Sequence, residues 1–134
     1  MEFKRLISDD GFIKLMSLMG EFCDSERGIW WQTCQEVISS ITMPQKWVTL
    51  FSDNDDGDIF CYITGVLSGP PQYEFFVTQI LNRDANVSQD LFASMERMLR
   101  EMGVKEVTGS LSHNPRVYRH YGYEVKKYIV SKML

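Results

Sequence analysis

Apolar and polar positions along the chain repeat with two periods, and the changes of period divide it into ten elements. Met1–Ser8 sets Phe3, Leu6 and Ile7 among polar neighbours, which predicts a short strand. Asp9 or Asp10 can cap the next segment by accepting backbone N–H bonds at a helix start. Phe12, Leu15, Met16 and Met19 then recur at helical spacing as far as Gly20. A second helix is predicted from about Ile29 to Ile41, with Trp30, Cys34, Val37 and Ile41 on one stripe and Pro44 as its stop. Period two returns in Lys46–Ser52 and Ile59–Leu67, strands separated by the turn sequence Asp53–Asp58. After the turn Ser68–Pro71, Tyr73–Leu81 is apolar on both faces except at Glu74, Thr78 and Gln79, as expected of a central strand covered on both sides. Asp90–Met102 carries Leu91, Phe92, Met95, Met98 and Leu99 on one helical face, and Gly103 caps it. Val104–Ser112 reads as a strand. Asn114-Pro115 opens a short helix ending at Gly122, and Tyr123–Leu134 reads as one final strand.

Composition agrees with that pattern and narrows it. The 134 residues are 44% hydrophobic and 24% charged, without repeats or low-complexity segments, and read as one domain over residues 1–134. A chain of this length buries roughly two-thirds of its unfolded surface, so its core needs no metal or disulfide. No apolar run approaches the roughly 20 residues of a membrane span, and the N-terminal stretch lacks the apolar segment of a signal peptide. Cys23, Cys34 and Cys61 are an odd, widely spaced set in apolar surroundings, which predicts free thiols in a reducing, cytoplasmic setting.

The net charge of −4 disfavours a nucleic-acid partner. It hides an asymmetry: residues 1–74 carry 12 acidic and 5 basic side chains, residues 75–134 carry 6 and 9. An anionic ligand would therefore favour the C-terminal half. No metal site is expected. Setting Gly57 at position six of a calcium loop puts Ile63 where a bidentate Glu is required, and His113 and His120 lack a third ligand.

The element order β-α-α-β-β-β-α-β-α-β, with the residues of Ile59–Tyr123, resembles the Gcn5-related N-acetyltransferase (GNAT) superfamily. The signature of that superfamily, Arg or Gln then x-x-Gly-x-Gly/Ala, is matched in position by Arg83-Asp84-Ala85-Asn86-Val87-Ser88, with Leu91-Phe92 at the following Leu-Leu. Backbone N–H groups of such a loop, with the helix start behind it, can cradle a pyrophosphate. Asn86 and Ser88 occupy the two glycine positions. The second match is Tyr118-Arg119-His120-Tyr121-Gly122-Tyr123, for a Tyr-x-x-x-Gly-Phe pattern, preceded by Asn114.

The resemblance implies an α/β fold with a mixed, mostly antiparallel central sheet flanked by helices. It also implies acetyl transfer from acetyl-CoA to a small amine or a protein amine. By resemblance, Arg83, Asn86, Val87 and Ser88 would hold the pyrophosphate, the backbone near Ile80 and Leu81 would polarise the thioester carbonyl, and Asn114 would meet the pantetheine arm. Tyr118 would protonate the departing thiolate. Glu74, the only carboxylate within Tyr73–Leu81, is the first candidate for the general base, and a solvated strand-start Glu is its plainer reading. Glu21, Asp24, Glu26 and His120 come second. Another class of function stays open: a catalytically inactive GNAT-fold binding or structural protein. Compact GNAT-like chains with altered signatures occur among tailed-phage proteins, some of them virion parts. The 12 residues after Gly122 barely support a closing hairpin, so the C-terminal strand would offer an edge for homo- or hetero-oligomer pairing.

Overall fold

The computed structural model describes residues 1–8, 11–13, 15–16, 27–57, 59–69, 73–82, 89–110, 115–126 and 129–134. The strands are β1 (Lys4–Arg5), β2 (Trp47–Asp53), β3 (Ile59–Ser68), β4 (Glu74–Asn82), β5 (Glu106–Ser110), β6 (Glu124–Lys126) and β7 (Ile129–Met133). Residues 11–13 and 15–16 are helical (α1), followed by α2 (Arg27–Thr42), α3 (Gln89–Glu101) and α4 (Pro115–His120). Among the described residues one seven-stranded sheet forms, in the order β1-β2-β3-β4-β5-β7-β6. Every neighbouring pair is antiparallel except β4 and β5, which run parallel with α3 as the crossover between them.

The sheet is covered on both faces, and strand alternation decides which side chain goes where. One face packs against α3 and α4: Val48, Leu50, Cys61, Ile63, Phe75 and Val107 meet Leu91, Phe92, Met95, Leu99 and Tyr118. The other meets α1 and α2, where Leu15, Cys34 and Val37 pack with Leu6, Ile59 and Tyr62. Full burial of Leu91, Met95 and Leu99 stabilises the α3 side by about 1.5–3 kcal/mol per side chain. At its end Gly103 takes φ 88°, a conformation costly for residues with a Cβ, and Val104 N–H returns to Leu99 O at 3.0 Å.

Two differences from the sequence reading concern the C-terminus. Tyr123–Leu134 is two antiparallel strands rather than one, with Val125 opposite Val130. No glycine or proline lies between 123 and 134 to mark the reversal. The C-terminal strand is consequently interior, between β5 and β6, and both its edges are occupied. The pairing edge expected of it falls instead to β6, which is three residues long. No described helix is long and apolar enough to cross a membrane.

Candidate active site

β4 is the strand on which the site is built, because it changes partners along its length. Glu74, Phe75, Phe76 and Val77 pair in parallel with Glu106, Val107, Thr108 and Gly109, and the ladder stops there. β4 continues to Asn82 while paired with β3 alone. Among the described residues the pairing of β4 with β5 thus has a gap beyond Val77 and Gly109.

A bulge sits at the opening. Thr64 is opposite Gln79, yet Gly65 is opposite Val77, so Thr78 is the extra residue of β4. Ordinary alternation would send Thr78 and Gln79 to opposite faces. Here both aim at the α2 face: Thr78 Oγ1 donates to Glu36 Oε2 at 3.0 Å, and Tyr62, buried in the α2-side cluster, donates to Gln79 Oε1 at 3.4 Å. Gly65 makes the bulge possible. A Cβ there would lie 2.4 Å from the Phe75 ring and 2.5 Å from Phe76 O.

Glu36 is 6% exposed. It lies on the buried side of α2, one turn before Ser40, beside the apolar stripe of Cys34 and Val37. Thr64 Oγ1 donates to the same Oε2 at 2.8 Å, and the Thr64 and Thr78 hydroxyls are 2.9 Å apart. Thr49 Oγ1, next to Thr64 on β2, donates to Ser40 Oγ at 3.0 Å. A polar row therefore runs beneath α2 and ends at the bulge. Burying a carboxylate is costly unless it is hydrogen-bonded, and the two threonines meet that requirement.

The residues expected from sequence fall in different places. Ile80 and Leu81 lie on the open stretch of β4, opposite Ile63 and Tyr62, and Ile80 is exposed. Tyr118 is buried on the α3 face, its ring edge-on to Phe92 and Tyr123, each 6.4 Å away. Glu74 is set apart. It begins β4 at the paired end, accepts a hydrogen bond from Thr108 Oγ1 at 2.8 Å, and stands four residues, about 13 Å, before the bulge. His120 is exposed and stacks edge-on to Tyr121 at 5.1 Å. Arg83, Asn86, Val87, Ser88 and Asn114 lie outside the described residues, as do Glu21, Asp24 and Glu26.

Glu36, Thr64 and Thr78 were missed in the sequence reading. Two signals were present: adjacent polar residues, Thr78-Gln79, inside an otherwise apolar strand, and a carboxylate next to the apolar stripe of α2. Neither shows that the two meet. Among the described residues no group of three or more His, Cys, Asp or Glu could hold a metal ion.

A mostly antiparallel sheet with one parallel pair whose ladder ends at a bulge, covered by helices on both faces, has the architecture of the GNAT fold. Solved structures share it over nearly the whole length. A protein assigned to the GNAT acetyltransferases from Desulfovibrio desulfuricans aligns over 98% of this chain and 97% of its own, with TM-score 0.74 and 12% identity. The aminoglycoside 6'-N-acetyltransferase from Enterococcus faecium aligns over 99% and 97%, with TM-score 0.72 and 12% identity. An aminoglycoside 6'-N-acetyltransferase complexed with coenzyme A aligns over 99% and 97%, with TM-score 0.69 and 9% identity. No sequence-family profile matches the chain, nor does any curated protein.

Proposed function

We propose that this protein is an acetyl-CoA-dependent N-acetyltransferase acting on an amine. The observation that carries the reading is the end of the β4–β5 ladder at the Thr78 bulge, within a fold that a coenzyme A-bound acetyltransferase shares. Past its last pair with β5, the β4 backbone suits the amides of a pantetheine arm, which can add to a sheet edge as a strand does. Arg83, Asn86, Val87 and Ser88 would follow directly with N–H donors for the pyrophosphate, in the half of the chain with excess positive charge. Asn114 would meet the arm from the β5 side.

Acetyl-CoA supplies an activated acyl group. The chain has to orient it, stabilise negative charge on the carbonyl oxygen, take a proton from the amine and return one to the thiolate. N–H groups near Ile80 and Leu81 would serve the oxygen, and Tyr118 the thiolate. The acceptor is a small amine or a protein amine, handled in the cytoplasm. The inactive alternative draws on the aromatic packing of Tyr118 and on the Asn and Ser at the glycine positions of the signature.

Calorimetry with acetyl-CoA tests the reading. Micromolar binding that Ser88→Trp abolishes supports it, and no binding at millimolar cofactor refutes it. Thiol release with a panel of an aminoglycoside, a polyamine and a peptide with a free N-terminal alanine then measures turnover, and Tyr118→Phe should slow it without weakening cofactor binding.

A further inference from the structure

The acetyl-transfer reading leaves the proton of the attacking amine without a destination near the gap. Glu74 is four residues from the bulge and engaged by Thr108. Tyr118, the residue proposed for the thiolate, lies on the α3 face. On the opposite face, at the bulge itself, the described residues place one carboxylate, that of Glu36.

We propose that Glu36, reached through the Thr78 hydroxyl, is the group that takes this proton, and that the acceptor is therefore a basic primary amine whose nitrogen docks against Thr78. This rests on the N-acetyltransferase reading. Three observations support it. Thr78 is the first β4 residue past the last β4–β5 pair, so its half-buried hydroxyl stands at the mouth of the gap. Alternation from Phe75 and Val77, which pack on the α3 side, points that hydroxyl to the α2 face, where it meets Glu36 at 3.0 Å.

The third observation is a proton count. Glu36 Oε2, Thr64 Oγ1 and Thr78 Oγ1 form a triangle with edges of 2.8, 3.0 and 2.9 Å. The two hydroxyls bring two hydrogens to three edges, so Thr78 can give its own hydrogen to Glu36 while accepting one from a docked nitrogen.

The step balances. The docked ammonium passes one proton by way of Thr78 to Glu36, the freed lone pair forms the N–C bond as the C–S bond breaks, the thiolate takes the Tyr118 proton, and the second nitrogen proton leaves to solvent. Both groups then exchange with solvent.

Thiol release is measured for the wild type, Glu36→Gln, Thr78→Val and Thr78→Ser, with a strongly basic alkylamine from the panel and with a hydrazide, which is already unprotonated at neutral pH. Glu36→Gln and Thr78→Val should each lower kcat for the alkylamine by about 100-fold. Both should leave the acetyl-CoA Kd unchanged and affect the hydrazide reaction far less, and Thr78→Ser should retain the alkylamine rate. Equal losses with both nucleophiles would mean that the triad only braces α2 against the sheet, and would overturn the proposal. So would a change below about threefold in Glu36→Gln. Should that variant not fold, the comparison of Thr78→Val with Thr78→Ser decides alone. A wild type that neither binds acetyl-CoA nor releases thiol overturns the acetyltransferase reading itself, and this proposal with it.

Discussion

Replacing Gly65 by Ala tests whether the bulge depends on close approach of β3 to β4. Its φ is not in the left-handed region, so the added methyl brings a steric conflict without backbone strain. That methyl would stand 2.4 and 2.6 Å from two carbons of the Phe75 ring and 2.5 Å from Phe76 O, where ordinary contacts begin near 3.4 Å. Phe75 is wholly buried and cannot swing away, and Phe76 O belongs to the strand paired with Gly65. Relief must come from moving β4 at the site. Overpacking of a rigid core costs typically 1–3 kcal/mol, and two immovable neighbours place this change at about 3 kcal/mol. Unfolding entropy near 2.1 cal/mol/K per residue converts that into a fall in Tm of about 10 °C. Thermal unfolding followed by circular dichroism measures it, with urea unfolding as a second scale. Gly103→Ala is the control: its φ is 88° and its methyl would meet nothing within 4 Å, so backbone strain of about 1 kcal/mol is the whole expectation. A Gly65→Ala protein melting within about 2 °C of the wild type would refute the close-approach argument.

The Tyr123 hydroxyl is buried without a hydrogen-bond partner among the described residues, whereas its ring packs with Phe92 at 5.3 Å and lies 5.4 Å from Lys132 Nζ. Tyr123→Phe should therefore raise stability by up to about 1 kcal/mol in urea unfolding, and a loss of that size would show that the hydroxyl is satisfied. Lys132 Nζ is 2.5 Å from the buried Glu96 carboxylate and donates to Tyr121 O at 2.8 Å, tying β7 to α3 and to the turn after α4. Lys132→Met should cost about 3 kcal/mol by leaving Glu96 unpaired, and Glu96→Leu added to it should recover most of the loss; an unaltered urea midpoint for the single variant would discount the pair. Burial pushes the Cys61 thiol from 9.0 to about 12, so above pH 9 the unfolded chain loses a proton that the folded chain keeps. Stability should fall as pH rises from 9.0 towards 12, at up to about 1.4 kcal/mol per pH unit from this group. Burial, with the Glu96 carboxylate adding to it, also raises the Tyr123 phenol, which acts in the same direction. Urea midpoints at pH 8 and 10 should separate less in Cys61→Val than in the wild type, and equal separations would refute the assignment to Cys61.

Most of the fold follows from local pattern. The amphipathic stripe of 91–99 dictates α3 wherever its partner sheet lies, and the apolar run 73–81 has to be covered on both sides because neither face can meet water. Gly103 marks its helix end by a preference of the backbone itself. These are properties of single elements, and a single chain displays them. What the tertiary structure decided depends on register between elements distant in sequence. Whether 123–134 is one strand or a hairpin turns on Val125 finding Val130, which alternation alone does not reveal. Glu74 and Glu36 differ little as letters. The register of β4 against β3 and the packing of α2 on the sheet set Thr78 within 3.0 Å of a carboxylate 42 positions earlier in the chain. Side-chain direction along a strand changes with every residue of register, so which carboxylate meets Thr78 is settled only once the strands have paired.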